Sequence, residues 1–304
     1  MHGGLAVLAA LGSALCFATS SVLQQHGAAR APRGSGLHLD LLRHLVTRPI
    51  WLAGLTAALG TVGLQALALS TGELVLVEPV LIAGLLFALP LSVVLERRRP
   101  RLQEWGWAAA LIAGLVLFLA AAHPRAGPGL PDDERLWQFG IVVLAVAATV
   151  ALLGSALGGR HRAMLLGAAT GLTYGVVAAL LKYSCALAGR EGIGWLVTSW
   201  PAYALVVVGA AGILLNQAAY QAGPLCGALP PLAICDPLIA MLFGVATFGE
   251  HLDTAAMNVA GEVAGFALMT AAIIRLAGFA AGRHPTRTRC DSPEQERALA
   301  TAAS

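Results

Sequence analysis

Residues Gly60–Leu81 read GTVGLQALALSTGELVLVEPVL, and Gly209–Ala233 read GAAGILLNQAAYQAGPLCGALPPLA. Pro49, Gln65 and Pro79 recur as Pro201, Gln217 and Pro231, each 152 residues further on. An earlier pair of stretches, ALCFATSSVLQQ from Ala14 and GLTYGVVAALLK from Gly171, sets Phe17 opposite Tyr174. The chain is a loosely duplicated hydrophobic unit. Duplicated units of this kind build many secondary transporters, whose substrate sites lie between the two repeats, so the repeat bears on function as well as fold.

The surrounding composition sets the solvent. The chain is 58% hydrophobic and only 12% charged, where a soluble domain carries about 25% charged residues. Its mean hydropathy of +0.76 agrees with a membrane protein. The charges gather in short blocks, Arg30 to Arg48, Arg97 to Arg101, Asp132 to Arg135, Arg160 to Arg162 and the C-terminal tail. Between the blocks run apolar stretches of about 20 residues, the length that crosses a bilayer as a helix. Nothing in the charge pattern suggests nucleic-acid binding. Cys16, Cys185, Cys226 and Cys235 fall in or near apolar stretches without a CxxC pair and read as small apolar residues. No cofactor and no resident metal are implied.

Nine spans are predicted, at about 4–24, 50–70, 73–95, 104–122, 136–157, 162–187, 200–220, 224–248 and 254–279. The first lacks a basic leading segment and is read as retained, not as a cleaved signal. Arginines cluster after odd-numbered spans, so the positive-inside rule puts the N-terminus outside and the C-terminus in the cytoplasm of a plasma-membrane protein. Spans one to four then match spans six to nine but start from the opposite face. The expected architecture is an all-α polytopic membrane protein of two inverted four-helix repeats, residues 1–124 and 162–282. Residues 125–161 supply a linker span and 283–304 a disordered cytoplasmic tail. Within residues 28–48, Leu37, Leu41, Leu42 and Leu45 fall at helical spacing and predict an amphipathic helix on the cytoplasmic surface. His38, Asp40 and His44 are read as its solvated face, not as a catalytic or metal cluster.

Ionisable residues inside apolar spans cost at least about 2.5–3.5 kcal/mol each on insertion scales and so default to functional candidates. Glu78, Lys182, Asp236 and Glu262 qualify. At about 1.5 Å per residue, Glu78 lies about 9 Å and Glu262 about 12 Å in from the outer face. Asp236 lies halfway along its span, and Lys182 and Gln65 lie near the outer ends of theirs. These five groups are expected to line one hydrated cavity openable to the outside, with Asn258 one turn from Glu262 and Gln217 as the repeat partner of Gln65. Lys182, the only lysine, has two other readings, a side chain snorkelling to the interface and a structural pair with Glu78. Pro79, Pro90, Pro230, Pro231 and Pro237 all fall in the equivalent spans three and eight, where proline kinks or breaks a helix. Paired broken helices in corresponding positions point to a transport site; kinks used only for packing are the alternative. Gly167, Gly171 and Gly175, and Gly261 and Gly265, form GxxxG faces for close helix packing.

The stretch GPLCGALPPLAICDPLIAMLFGVATFGEHL (Gly223–Leu252) and its weaker partner TGELVLVEPVLIAGLLFALPLSVVLERR from Thr71 each run through proline and an apolar helix to an acid, Glu250 or Glu96. This pattern resembles the drug/metabolite transporter superfamily of EamA-like permeases. The nine-span count, the outside N-terminus and SSVLQQHG after Thr19 are similar to its NIPA-type magnesium transporter branch. The resemblance covers residues 4–122 and 162–279. It lacks the span-one Glu of the small four-span multidrug relatives. It implies a permease for a small metabolite or a cation, working by alternating access and ion- or proton-coupled through its membrane carboxylates. A divalent-cation carrier is one alternative, since such ions favour oxygen ligands. A polytopic enzyme acting on lipid is another, and would need an acid–base cluster at the interface.

Overall fold

The computed structural model describes residues 2–29, 49–84, 86–87, 91, 102–122, 127, 133–192, 194, 198–222, 225–250 and 256–281. The amphipathic segment 37–45, Pro90, Glu96 and the tail 283–304 lie outside the described residues. Among the described residues the regular structure is entirely helical, as the bilayer demands of a chain whose backbone groups must be satisfied within each segment. The helices are α1 (His2–Ala29), α2 (Pro49–Thr71), α3 (Leu74–Leu81), α4 (Leu102–Ala122), α5 (Asp133–Ser155), α6 (Gly159–Glu191), α7 (Trp200–Ala222), α8 (Leu225–Ala246) and α9 (Ala256–Ala281).

Seven of them, α1, α2, α4, α5, α6, α8 and α9, are long and apolar enough to cross a membrane, and α7 carries a shorter apolar run, Trp200–Asn216. The expected continuous span at 73–95 is not a single described helix. α3 ends at Leu81, and Ile82 and Ala83 form a turn. Pro79 lies inside α3, where its missing N–H leaves the Val75 carbonyl one turn earlier without its helical donor; after Leu81 the chain tightens into i→i+3 bonds, Ile82 N–H to Pro79 C=O at 3.3 Å and Ala83 N–H to Val80 C=O at 3.0 Å. Gly84 then lies against α1, where an added Cβ would stand 3.2 Å from the Ala14 carbonyl oxygen.

The expected break in span eight does not occur. α8 runs as one helix through Pro230, Pro231 and Pro237. It packs on α6, whose GxxxG face receives it at close range. A Cβ on Gly167 would meet the Ala228 carbonyl oxygen at 2.3 Å, one on Gly171 the Leu232 oxygen at 2.6 Å, and one on Gly175 the Ile239 Cβ at 2.7 Å. That contact runs along a helix that stays continuous, and unwinding it would put unpaired backbone groups where lipid offers no partner.

α6 is the hub. Of its apolar segment 61% is buried, against 18–39% for the other six spanning helices. α8, α7 and α5 pack on it; α1 packs on α2 and α3; α4 packs on α9; α3 touches α8, and α2 touches α6. Small residues make these contacts. α1 buries Ala6, Ala9, Ala10, Ser13, Ala14 and Ala18 at helical spacing, and Ser13 donates to the Thr61 carbonyl on α2 at 2.9 Å. Gly114 of α4 and Gly265 of α9 face each other backbone to backbone. Leu8, Leu59, Leu152, Val206 and Leu214 point outward. Lipid is as apolar as leucine, so large side chains gain little from facing inward, and van der Waals contact between small residues joins the helices instead.

Candidate functional site

The chain turns from α2 into α3 at Gly72 and Glu73. Gly72 sits so close to α1 that an added Cβ would meet the Ala6 Cβ at 2.5 Å. Glu73 holds the N-cap position in an extended conformation but makes no side-chain cap bond. The first N–H groups of α3, which have no partner within the helix, are bound instead by an acid 176 residues away. Leu74 N–H donates to Glu250 Oε1 at 2.8 Å and Val75 N–H to Oε2 at 2.9 Å. A carboxylate at a helix N-terminus is favoured by both hydrogen bonding and the helix dipole.

Lys182 of α6 completes this centre. Its ammonium is ion-paired with Glu250 Oε1, donates to the Gly72 carbonyl at 3.1 Å and lies 5.2 Å from the centre of the Phe248 ring. The Glu250 side chain is 1% exposed and that of Lys182 15%, so the expected pairing of the lysine with Glu78 is replaced by a pair with Glu250. Two glycines make room for the acid. Gly249 takes the left-handed conformation, φ 63°, and a Cβ on Gly244 would stand 2.5 Å from Glu250 Oε2. A cavity of about 240 Å³ opens beside the pair, lined by Ser70, Thr71, Gly72, Lys182, Phe248 and Glu250 among others.

One turn deeper along α3 lies the second centre. Glu78 is 3% exposed and accepts a hydrogen bond from Gln65 Nε2 of α2 at 3.3 Å. Asp236 of α8 is close enough to Glu78 for the two carboxyl groups to interact electrostatically. Its backbone lies on the α6 glycine face, with the N and O atoms each 3.0 Å from Cβ positions of Gly171 and Gly175 respectively. One carboxyl oxygen of Asp236 is buried without a hydrogen-bond partner among the described residues. A buried polar atom left unpaired costs stability, so this oxygen works against the fold's stability. Each acid immediately precedes a proline, Pro79 or Pro237, whose missing N–H leaves the carbonyl four residues earlier without its helical donor.

The structure therefore brings Gln65, Glu78 and Asp236 together, and ties Lys182 to a neighbouring centre above them. Glu262 and Asn258 are half-buried on α9, which packs on α4 and α8. Gln217 lies in α7. Among the described residues no group of three or more His, Cys, Asp or Glu side chains could hold a metal ion. Glu250 is the residue whose role the sequence did not reveal. The FGE turn marks it as an acid after a helix, but its binding to α3 arises only in the folded bundle.

Long apolar helices joined through small-residue faces, with buried acids and a capped half-helix between them, define a multi-pass α-helical membrane protein. The chain is 32% identical over 249 residues to an uncharacterized protein of Corynebacterium glutamicum, a match covering 82% of this chain and 86% of the relative. It belongs to the same family as that protein. No family model matches the chain, and no solved structure does.

Proposed function

We propose that the protein is a permease that carries a small metabolite or a cation across the plasma membrane by alternating access. The observation that carries this reading is the acid pair of buried Glu78 and half-buried Asp236, one of whose carboxyl oxygens is enclosed, on two proline-containing helices, one of them interrupted. Such a pair is expensive in a scaffold and useful in a carrier, where it can bind a cationic group or exchange a proton with the substrate's passage.

The helix contacts support an inverted-repeat layout. α1 packs on α2 as α6 packs on α7; α1 packs on α3 as α6 packs on α8; α3 meets α4 as α8 meets α9. Of the contacts between halves, α3 with α8 and α4 with α9 join equivalent helices, as a two-fold axis in the membrane plane requires, while α6 also touches α2 and α3. An outside N-terminus puts the Glu250 centre at the outer face and the acid pair below it. The likeness to EamA-like permeases belongs to this same reading. So does the divalent-cation alternative, which the two carboxylates favour, since such ions take oxygen ligands.

Purified protein in proteoliposomes tests it, by uptake of a radiolabelled amino-acid and nucleoside panel and of Mg²⁺ read by an internal indicator dye. Protein-dependent uptake that Glu78→Gln and Asp236→Asn abolish is the expected result. Uptake that both variants leave intact overturns the assignment of the acids, and Mg²⁺ entry alone selects the cation reading.

A further inference from the structure

We infer that Lys182, Glu250 and the N-terminus of α3 form a latch that closes one end of the transport path, and that the structure described here is its closed state. The inference rests on the permease reading above and assigns a role to residues outside the acid pair.

The tie joins the two halves of the chain at one end only. Gly72, Leu74 and Val75 belong to the first half. Lys182 on α6 and Glu250 after α8 belong to the second. The other main contact between halves, α4 on α9, runs over several turns through Gly114, Gly261 and Gly265. A glycine seam is held by shape and persists through small rotations. A carboxylate gripping two N–H groups and an ammonium is made or broken as a unit. If the halves rock about the long seam, the polar tie is the contact that must part to open its end.

Its position fits that role. The cavity beside Lys182 and Glu250 ends at the tie. Glu78 follows Leu74 by four residues, about 6 Å further along α3. The tie thus stands between the cavity and the acid pair. Glu250 also caps α3 in place of a local residue, since Glu73 supplies no cap bond. Releasing Glu250 therefore frees the N-terminus of the interrupted helix as well as separating the halves. Opening and uncapping are one event.

The test reads access without needing a substrate. In a variant with all five cysteines replaced by alanine, Gln65→Cys places a thiol beside Glu78. Its reaction with a membrane-impermeant thiol reagent is measured in right-side-out and inside-out vesicles. Charge-assisted bonds of this kind are strong enough that losing them shifts a two-state equilibrium by about tenfold or more. Lys182→Met and Glu250→Gln are each expected to raise the labelling rate from the tie's side by that factor, and Lys182→Arg, which keeps the charge, to leave it within about twofold of the parent. Equal labelling in the parent and both neutral variants overturns the latch, as does an equal rise from both faces, which marks general loosening. If one neutral variant cannot be purified, the other decides. Uptake is read in the cysteine-free protein that keeps Gln65: faster one-sided labelling with no solute uptake by that protein leaves the latch standing and removes the permease reading, and normal uptake with unchanged labelling removes the latch alone.

Discussion

Gly171→Ala and Gly209→Ala make the same chemical change in two helices and are expected to act in opposite directions. In α6 a Cβ on Gly171 would lie 2.6 Å from the Leu232 carbonyl oxygen, 2.8 Å from the Cys235 Cβ and 3.0 Å from the Asp236 nitrogen. Two of these are backbone atoms of α8, so no side-chain rotation relieves them, and the helices must separate by several tenths of an ångström. Overpacking of this kind costs about 1–3 kcal/mol, against a gain in helix propensity of about 1 kcal/mol. A net loss of up to about 2 kcal/mol follows for Gly171→Ala. In α7 nothing stands within 4 Å of the corresponding position on Gly209, so only the propensity gain remains, up to about 1 kcal/mol of added stability. Unfolding of the purified protein by increasing SDS in mixed micelles, followed by helical circular dichroism, measures both. Equal stability of the two variants would refute the account of α6 and α8 as a backbone-to-backbone glycine contact.

Three further outcomes follow from the same contacts. Glu250→Ala leaves the Leu74 and Val75 N–H groups without their acceptor and the Lys182 ammonium without its ion-pair partner, a loss of about 3–5 kcal/mol by analogy with buried pairs that lose one partner; Glu250→Gln keeps one acceptor oxygen and is expected to lose less in the same SDS titration. Asp236→Asn removes a carboxylate with an unpartnered buried oxygen, and is expected to hold or raise stability by about 1 kcal/mol while uptake falls. Tyr183 donates its hydroxyl to Asp133 at the start of α5, so Tyr183→Phe should cost about 1.5–3 kcal/mol, the range for a hydrogen bond to a charged group, in that titration.

Much of this was legible in the sequence, and the limits have physical reasons. Glycines at four-residue spacing in α6 can serve only a close neighbour, and α8 is that neighbour. Glu78 and Gln65 sit near the same depth on consecutive helices, so their hydrogen bond follows from the span boundaries. Proline content predicted interruptions in both span three and span eight, but only α3 breaks. Proline removes one donor wherever it stands, and whether the helix then parts depends on its neighbours; α8 lies along the α6 glycine face, while α3 turns where Gly84 meets α1. The partner of Lys182 was hidden for a similar reason. Glu250 is 68 residues away, in a turn that reads as an ordinary helix exit, and its grip on α3 requires Gly72, Gly244 and Gly249 to bring three separate segments within hydrogen-bond reach.

The central claim is that the Glu78–Asp236 acid pair opens alternately to the two faces of the membrane. Labelling of Gln65→Cys in the otherwise cysteine-free protein, with the Lys182–Glu250 tie intact, tests it most directly. Reaction with an impermeant thiol reagent from both faces, slower from the side of the tie, is the expected result. Reaction from neither face, or from one face alone, would contradict it.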